Sequence, residues 1–437
     1  MRFTAALLSS AMVGIHAPLL AQKPTVPSGP ISLIDAIAIG RRQGVEAAIA
    51  QLNVRAAEAR RGQRRADLLP NIEGQASYIR QTINLDAFGF PGVSGVTDAF
   101  NLYNVQLRAS QSILDLSART RYRAGQDTVA AAKLDARVVG DVVGANAGVA
   151  YLRVLSAEET VRARTADSTV AADLLQQARR LVEAGVSPAI DVTRSEVSFG
   201  SVRTQLAVAR NQADRSRLDL VRALNLPSNT QLQLADSLGL APLEIPRQPD
   251  EAARYAREHR SELLAEHART EATRQTLRAI RFENLPNLSV NGFYTESGQQ
   301  TRVLAGSYYL QLLVSVPILD GLRRQNRSKE EQARLEIQEI RERNLADQVE
   351  TEARQAVLDL ASAEQQVAIA NERVKLANRE LSEAQQRFTA GVAGSVETTN
   401  AQSSVIAAQD ALIQARVSYG TARVAAYRAL GVIEQLH

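Results

Sequence analysis

ADQVETEARQAVLDLASAEQQVAIANERVKLANRELSEAQQRF, residues 346–388, is the stretch that decides the fold. Its apolar positions run Ala346, Val349, Ala353, Ala356, Leu360, Ala363, Val367, Ala370, Val374, Ala377, Leu381, Ala384 and Phe388, three and four residues apart in unbroken alternation. A strict 3.5-residue period keeps one row of side chains turned toward a neighbouring helix, so this is a coiled-coil seam. Nearly every second seam position is Ala, whose small side chain lets helix backbones approach closely. No Pro interrupts Gly321 to Gly391, and a helix filling that interval is roughly 100 Å long at about 1.5 Å per residue. Taken alone, the seam also fits an ordinary helical hairpin or rod.

The pattern recurs in the first half of the chain. Val143, Ala147, Ala150, Val154, Ala157 and Val161, then Ala171, Leu175, Ala178 and Val182, continue a seam that Arg164 and Ser168 interrupt; here no Pro lies between Ser117 and Gly185. Short markers repeat in step with it. Leu69-Pro70-Asn71 recurs as Leu285-Pro286-Asn287, Asp115 as Asp320, Ala184-Gly185-Val186 as Ala390-Gly391-Val392, and Arg222-Ala223-Leu224 as Arg428-Ala429-Leu430. The offset is 216 at the prolines, 205 at the aspartates, and 206 at the glycines and the leucines. The slip falls between the Pro and Asp markers, where the first half carries a longer loop including Phe88-Gly89-Phe90-Pro91-Gly92; insertions of that kind belong in exposed hairpin tips. A unit this long exceeds any solenoid repeat. It implies two copies of one domain, residues 22–240 and 241–437, each a helix, two strands and a long helical hairpin.

Each seam stops at a turn. Gly185-Val186-Ser187-Pro188 and Gly391-Val392-Ala393-Gly394 end the long helices, and new helices run on to about Leu226 and Leu430. Other helices precede the Leu-Pro-Asn markers, from about Ser32 to Leu68 and about Pro249 to Glu283.

After each Leu-Pro-Asn the period changes to two. Ile72, Gly74, Ala76 and Tyr78 alternate with polar residues, as do Val105, Leu107 and Ala109, then Leu288, Val290 and Gly292, and finally Tyr308, Leu310, Leu312, Val314 and Val316, with Tyr309 and Leu313 as exceptions. Four amphipathic segments of about ten residues suit strands with lipid on one face and water on the other. Tyr78, Phe88, Phe90, Phe100, Tyr103, Phe293, Tyr294, Tyr308 and Tyr309 cluster in these regions, as in an interfacial aromatic girdle. Two soluble hairpins packed on helices are the plain alternative. In a membrane, four strands cannot close a barrel and open edges are not tolerated, so the barrel must be shared between chains in a closed ring.

Composition narrows the classes. Of 437 residues, 45% are hydrophobic and only 4% aromatic, with no Trp and no Cys. Without Cys there is no disulfide framework, no thiol catalysis and no lipid-anchoring thiol. The net charge of +4 comes from 51 basic against 47 acidic residues, a mixed surface rather than a nucleic-acid footprint. Met1-Arg2 followed by the apolar stretch Phe3 to Leu20 reads as a secretory signal peptide, residues 1–21, cleaved after Ala21. Beyond it no 18-residue apolar stretch is apparent, so a membrane helix is not expected and a β-barrel is the remaining way to span. His259 and His267 lie eight apart without ligand partners, His16 and His437 sit near the termini, and no phosphate-binding loop occurs. The chain is not expected to be an enzyme or to hold a metal, a cofactor or nucleic acid.

The ordered, duplicated set of features resembles the TolC-type outer-membrane efflux proteins over nearly the whole mature chain. It comprises Ile31-Ser32-Leu33-Ile34-Asp35-Ala36, the two Leu-Pro-Asn markers, Val316-Pro317-Ile318-Leu319-Asp320-Gly321 and the acidic helix tips. The resemblance implies a mainly α fold with a membrane β-barrel portion. In it, long coiled-coil helical hairpins form an α-barrel across the periplasm, and four strands per chain complete a shared twelve-stranded barrel in a homotrimer. It further implies a passive exit duct in the outer membrane, in contact with lipid, that docks on a periplasmic adaptor coupled to an inner-membrane pump. In that family acidic residues at the helix tips gate the pore. Here Asp191 stands six residues after Gly185 and Glu397 six after Gly391; a second acidic position is Asn400, and Arg194 follows Asp191 by one turn. Acidic rings in a narrow mouth favour cations; the alternative is that both acids are solvated hairpin residues. The competing function is a soluble periplasmic coiled-coil adaptor or scaffold, which shares the helices but has no need of duplicated amphipathic hairpins.

Overall fold

The computed structural model describes residues 27, 29–89, 91–92, 94–239 and 245–436. The signal-peptide reading, its cleavage site, His16, Phe90, the boundary near residue 240 and His437 lie outside these residues. Twelve principal elements follow in order: α1 (Leu33–Gln43), α2 (Val45–Ala66), β1 (Asn71–Gln81), β2 (Phe100–Leu114), α3 (Leu116–Glu183), α4 (Ile190–Ala223), α5 (Pro249–His259), α6 (Ser261–Phe282), β3 (Asn287–Gln300), β4 (Val303–Ser315), α7 (Arg323–Thr389) and α8 (Ser395–Ala429). The second six repeat the first six.

Local chemistry sets the boundaries. Ser32 and Asp35 form a capping box, the Asp35 amide donating to the Ser32 hydroxyl (3.2 Å) and the Ser32 amide to the Asp35 carboxylate (3.0 Å). Asp115 accepts from the Ala118 amide (2.8 Å) to cap α3, and its counterpart Asp320 accepts from the amide (3.1 Å) and the guanidinium Nε (2.7 Å) of Arg324. The segments read as single helices at about 32–68 and 249–283 each break once, at Gly44 and at Arg260. At Gly44 the cause is close approach: a Cβ there would stand 2.4 Å from Val143 and 2.6 Å from the Gly40 carbonyl.

All four strands form one antiparallel sheet in the order β1-β2-β3-β4. Its register pairs Asn71 with Ser110, Ser112 with Ser289 and Asn287 with Ser315 at one end. β3 and β4 are joined by Thr301 and Arg302 alone, whereas residues 82–99 connect β1 to β2, which is the longer first loop the offsets required. Along β4 the alternate residues Tyr308, Leu310 and Leu312 are 84%, 74% and 67% exposed, a bare apolar face. The outer edges of β1 and β4 have no strand beside them among the described residues.

The helices lie side by side. Near the sheet the order is α2-α3-α6-α7, and at the opposite end α4-α3-α8-α7. α3 and α7 run the whole length, 68 and 67 residues, while the shorter helices exchange beside them at the waist. The main core sits there, around fully buried Tyr151, Leu220, Leu224, Tyr427 and Leu430. Tyr151 donates to the Ile31 carbonyl (2.9 Å), and Ile31 bridges in parallel to Leu234.

The α7 seam is buried as its period requires, from Val349 and Ala353 at 0% exposure to Val367 at 1% and Phe388 at 2%. Ala356 and Val374 are half-buried. One expectation needs correction: an 18-residue window of α3 is apolar enough by composition to cross a membrane. More than half of that window is buried inside the fold, because its small residues pack against other helices; Gly144 and Gly148 sit directly against Arg41 and Ile37 of α1. The seam's interruption at Arg164 also has a structural cause. Arg164 is buried between α3 and α8, where it binds Asp167 (2.8 Å) and Asp410.

Candidate periplasmic gate at the helix tips

The tips are built by two matched helix stops. Gly185 and Gly391 both adopt φ +69°, a left-handed conformation that glycine takes without a Cβ penalty. At the first tip the Gly185 amide donates to Val182 O (3.0 Å) and the Val186 amide to Leu181 O (2.9 Å). At the second, Gly391 donates to Phe388 O (3.0 Å) and Val392 to Arg387 O (3.1 Å). These paired bonds form the Schellman motif, which satisfies the last helical carbonyls. Pro188 and Gly394 then open the next helix in each tip.

The two tips touch each other. A Cβ on Gly391 would meet Val186 at 3.2 Å, and the Gln177 amide donates to the Thr389 hydroxyl (2.6 Å). Asp191 lies in the junction, 3% exposed. Its carboxylate accepts from the Ser187 hydroxyl (2.5 Å) and from the Ser395 hydroxyl on the other tip (2.5 Å), with Arg194 at 3.7 Å. Burial pushes its pKa up, but the two hydroxyls and the Arg194 charge outweigh that and hold it below the ordinary carboxylate value. It is therefore an ionised group in the first turn of α4, where the helix dipole also favours negative charge.

Glu397 has different surroundings, although it occupies the matched sequence position. It is exposed and pairs with Arg387 at 2.9 Å, a contact worth little in water. Arg194 and Asn400 line one groove of about 420 Å³ between α4 and α8, with Val197, Val396 and Ile406. The structure thus pairs Asp191 with Arg194, places Arg194 and Asn400 along one groove, and sets Glu397 apart with a separate partner. Sequence reasoning did not find Ser187, Ser395 or Arg387. Hydroxyls beside a turn are too common to stand out, and the Ser395 contact spans 204 residues.

Among the described residues no group of three or more His, Cys, Asp and Glu could hold a metal. His259 stacks on Tyr255 at a ring separation of 4.0 Å, and His267 pairs with Glu342 at 2.9 Å.

Comparison with known proteins agrees with this architecture. The profile of the outer membrane efflux protein family matches residues 38–226 and 253–432, one segment per repeat. The chain is 28% identical over 377 residues to CyaE of Bordetella pertussis, covering 82% of this chain and 75% of that protein. It is 24% identical over 399 residues to the pyoverdine export outer membrane protein OpmQ of Pseudomonas aeruginosa, covering 89% and 82%. Among solved structures, the Campylobacter jejuni CmeC outer membrane channel superposes with a TM-score of 0.79 at 17% identity, over 92% of this chain and 86% of that one.

Proposed function

This chain belongs to the outer membrane efflux protein family, and from that premise we propose that three copies close into one channel whose helix tips form its periplasmic gate. The protein is an outer-membrane efflux channel subunit, neither an enzyme nor a soluble adaptor. The observation that carries the trimer is the open sheet. Among the described residues β1 and β4 both present unpaired edges, and in lipid such edges must be satisfied by another chain. Repeating the four-stranded sheet around a threefold axis gives twelve strands and leaves no edge. The same rotation brings α4 and α7, the two borders of the helical layer near the tips, against the neighbouring copies. Val197 and Val208 on α4 and Ile369 and Leu376 on α7 are more than half exposed in the single chain, and burial between copies would shield them from water.

In this reading substrate enters at the tips from a periplasmic adaptor and inner-membrane pump, and leaves through the strand barrel. The pump supplies the energy. Asp191, with Arg194, holds the two tips of each chain together, while Glu397 and Asn400 stand at the rim. The mass of the detergent-solubilised complex tests the assembly: three chains are expected, and a monomer or dimer would overturn it.

A further inference from the structure

Register places all four strand–helix junctions at one edge of the sheet: β1 and β3 begin there, β2 and β4 end there. Within residues 60–71, 110–125, 278–288 and 316–329 stand thirteen basic residues and four acidic ones. The whole chain has an excess of only four. At the opposite edge, residues 80–101 and 296–303 hold two basic and three acidic residues. Positive charge is therefore concentrated where the sheet meets the helices.

The two faces of the helical layer differ at this level. A groove of about 620 Å³ is lined by α2, α3, α6 and α7 together. Because these helices lie side by side, a groove that all four line is on the concave face. Three of its six arginines are answered by acids: Arg121 and Arg327 bind Glu283 (3.3 and 2.8 Å), and Arg334 binds Glu330 (2.6 Å), while Arg60, Arg61 and Arg64 of α2 form no ion pair among the described residues. Arg119 and Arg123 flank groove-lining Arg121 at two residues' distance, and Arg278 and Arg281 stand two residues from groove-lining Ile280 and Ala279. Two residues rotate a helix position by about 200°, so these four point to the convex face. All four are exposed, and none forms an ion pair among the described residues. One turn before Arg119, Asp115 caps α3 by accepting from the Ala118 amide (2.8 Å), and the next acids on that face, Asp127 and the Glu271 that pairs with Arg274, lie a turn or two farther from the sheet.

We infer that Arg119, Arg123, Arg278 and Arg281 form a basic belt that binds the anionic phospholipid headgroups of the periplasmic leaflet. This rests on the outer-membrane placement of the strands and adds the lipid class that the outer surface selects. The belt sits at the depth where bare apolar strands end, so the same lipids can place their acyl chains against the sheet and their phosphates against the guanidiniums. An Arg fork suits a phosphate in a way that a zwitterionic headgroup partly cancels.

The test uses the full-length complex in mixed micelles of phosphatidylglycerol and phosphatidylcholine, with retained lipid counted by native mass spectrometry. Wild type is expected to keep phosphatidylglycerol at least about fivefold over phosphatidylcholine, the preference fading as salt rises. The quadruple Arg→Gln variant at 119, 123, 278 and 281 should lose it, and the quadruple Arg→Lys variant should retain most of it. The paired variant Arg119→Gln with Arg123→Gln should lose part of the preference if the quadruple variant fails to fold. Equal retention by wild type and the Gln variants would overturn the belt. So would loss of preference in Arg60→Gln with Arg64→Gln, which would move the site to the groove. Displacement of the lipid by millimolar glycerol 3-phosphate would identify a free-phosphate site instead. Chain number is read from the same spectra, so failure of the trimer is seen separately from failure of the belt.

Discussion

The Ser395 hydroxyl donates a 2.5 Å hydrogen bond to the Asp191 carboxylate across 204 residues of sequence, joining the tip of one repeat to the tip of the other. Removing a partner from a buried charged group costs about 1.5–3 kcal/mol. Ser395→Ala should therefore loosen the junction and raise the resting conductance of the channel in planar bilayers. Replacing Asp191 by Asn and Glu397 by Gln together keeps shape while removing two charges per chain, and should lower cation preference most clearly at low salt, where screening is weak. Unchanged conductance in the first variant and unchanged selectivity in the second would leave both acids without a role in the gate.

Val367 is 1% exposed in the α7 seam, packed with Leu360, Ala363 and Ala370. Val367→Asp buries a charge with no partner, at a cost of several kcal/mol. Thermal unfolding of the detergent-solubilised variant should begin at clearly lower temperature. A melting curve equal to wild type would contradict the seam.

Arg164 carries the buried charges of the α3–α8 contact. Its guanidinium binds Asp167, whose side chain is 6% exposed, and Asp410, which is half exposed. The Gln402 amide meets the backbone of the same turn, donating to Asp167 O at 3.2 Å. Arg164→Met preserves bulk but strands Asp167, and a buried pair broken on one side typically costs about 3–5 kcal/mol. Adding Asp167→Leu to that variant should recover most of the lost stability, measured as the shift in melting temperature. Failure of the second change to rescue the first would show that the loss comes from packing.

Asp141 gives the fold a pH dependence. Burial, helped by Glu434 and Glu262, pushes its pKa up to about 6 against the opposing pull of Arg41. The folded state therefore holds this proton more tightly than the unfolded chain, so between about pH 4 and pH 6 the group's stabilising contribution is lost as pH rises. Asp141→Asn should remove that slope and raise stability near neutral pH by about 1–3 kcal/mol, with the gain gone below about pH 4. Melting temperatures of both proteins across pH 4–8 decide it; parallel curves would show that Asp141 is not strained by burial.

Much of the fold was legible because its signals are periodic. The 3.5-residue seam of α7, the two-residue alternation of β4 and the glycine stops at Gly185 and Gly391 are local properties, fixed by how side chains project from a helix or strand. Duplication made them stronger, since each weak marker occurs twice in order. The break at Gly44 was missed because it depends on Val143, about a hundred residues away. Asp191 and Glu397 looked equivalent by spacing, yet one is buried beside Ser395 and the other exposed beside Arg387.

By itself, then, the amino-acid sequence determined the element order, the repeat and the seam, because these follow from backbone geometry and the burial of apolar rows, while the class of protein came from the resemblance of its ordered markers to a known family. Only the tertiary structure decided which charges are paired, which are buried and which stand bare. Arg164 and Arg123 are the same residue in the same helix. One closes a buried ion pair with Asp167 and Asp410 and the other faces solvent, because the neighbours that neutralise or desolvate a charge come from elsewhere in the fold.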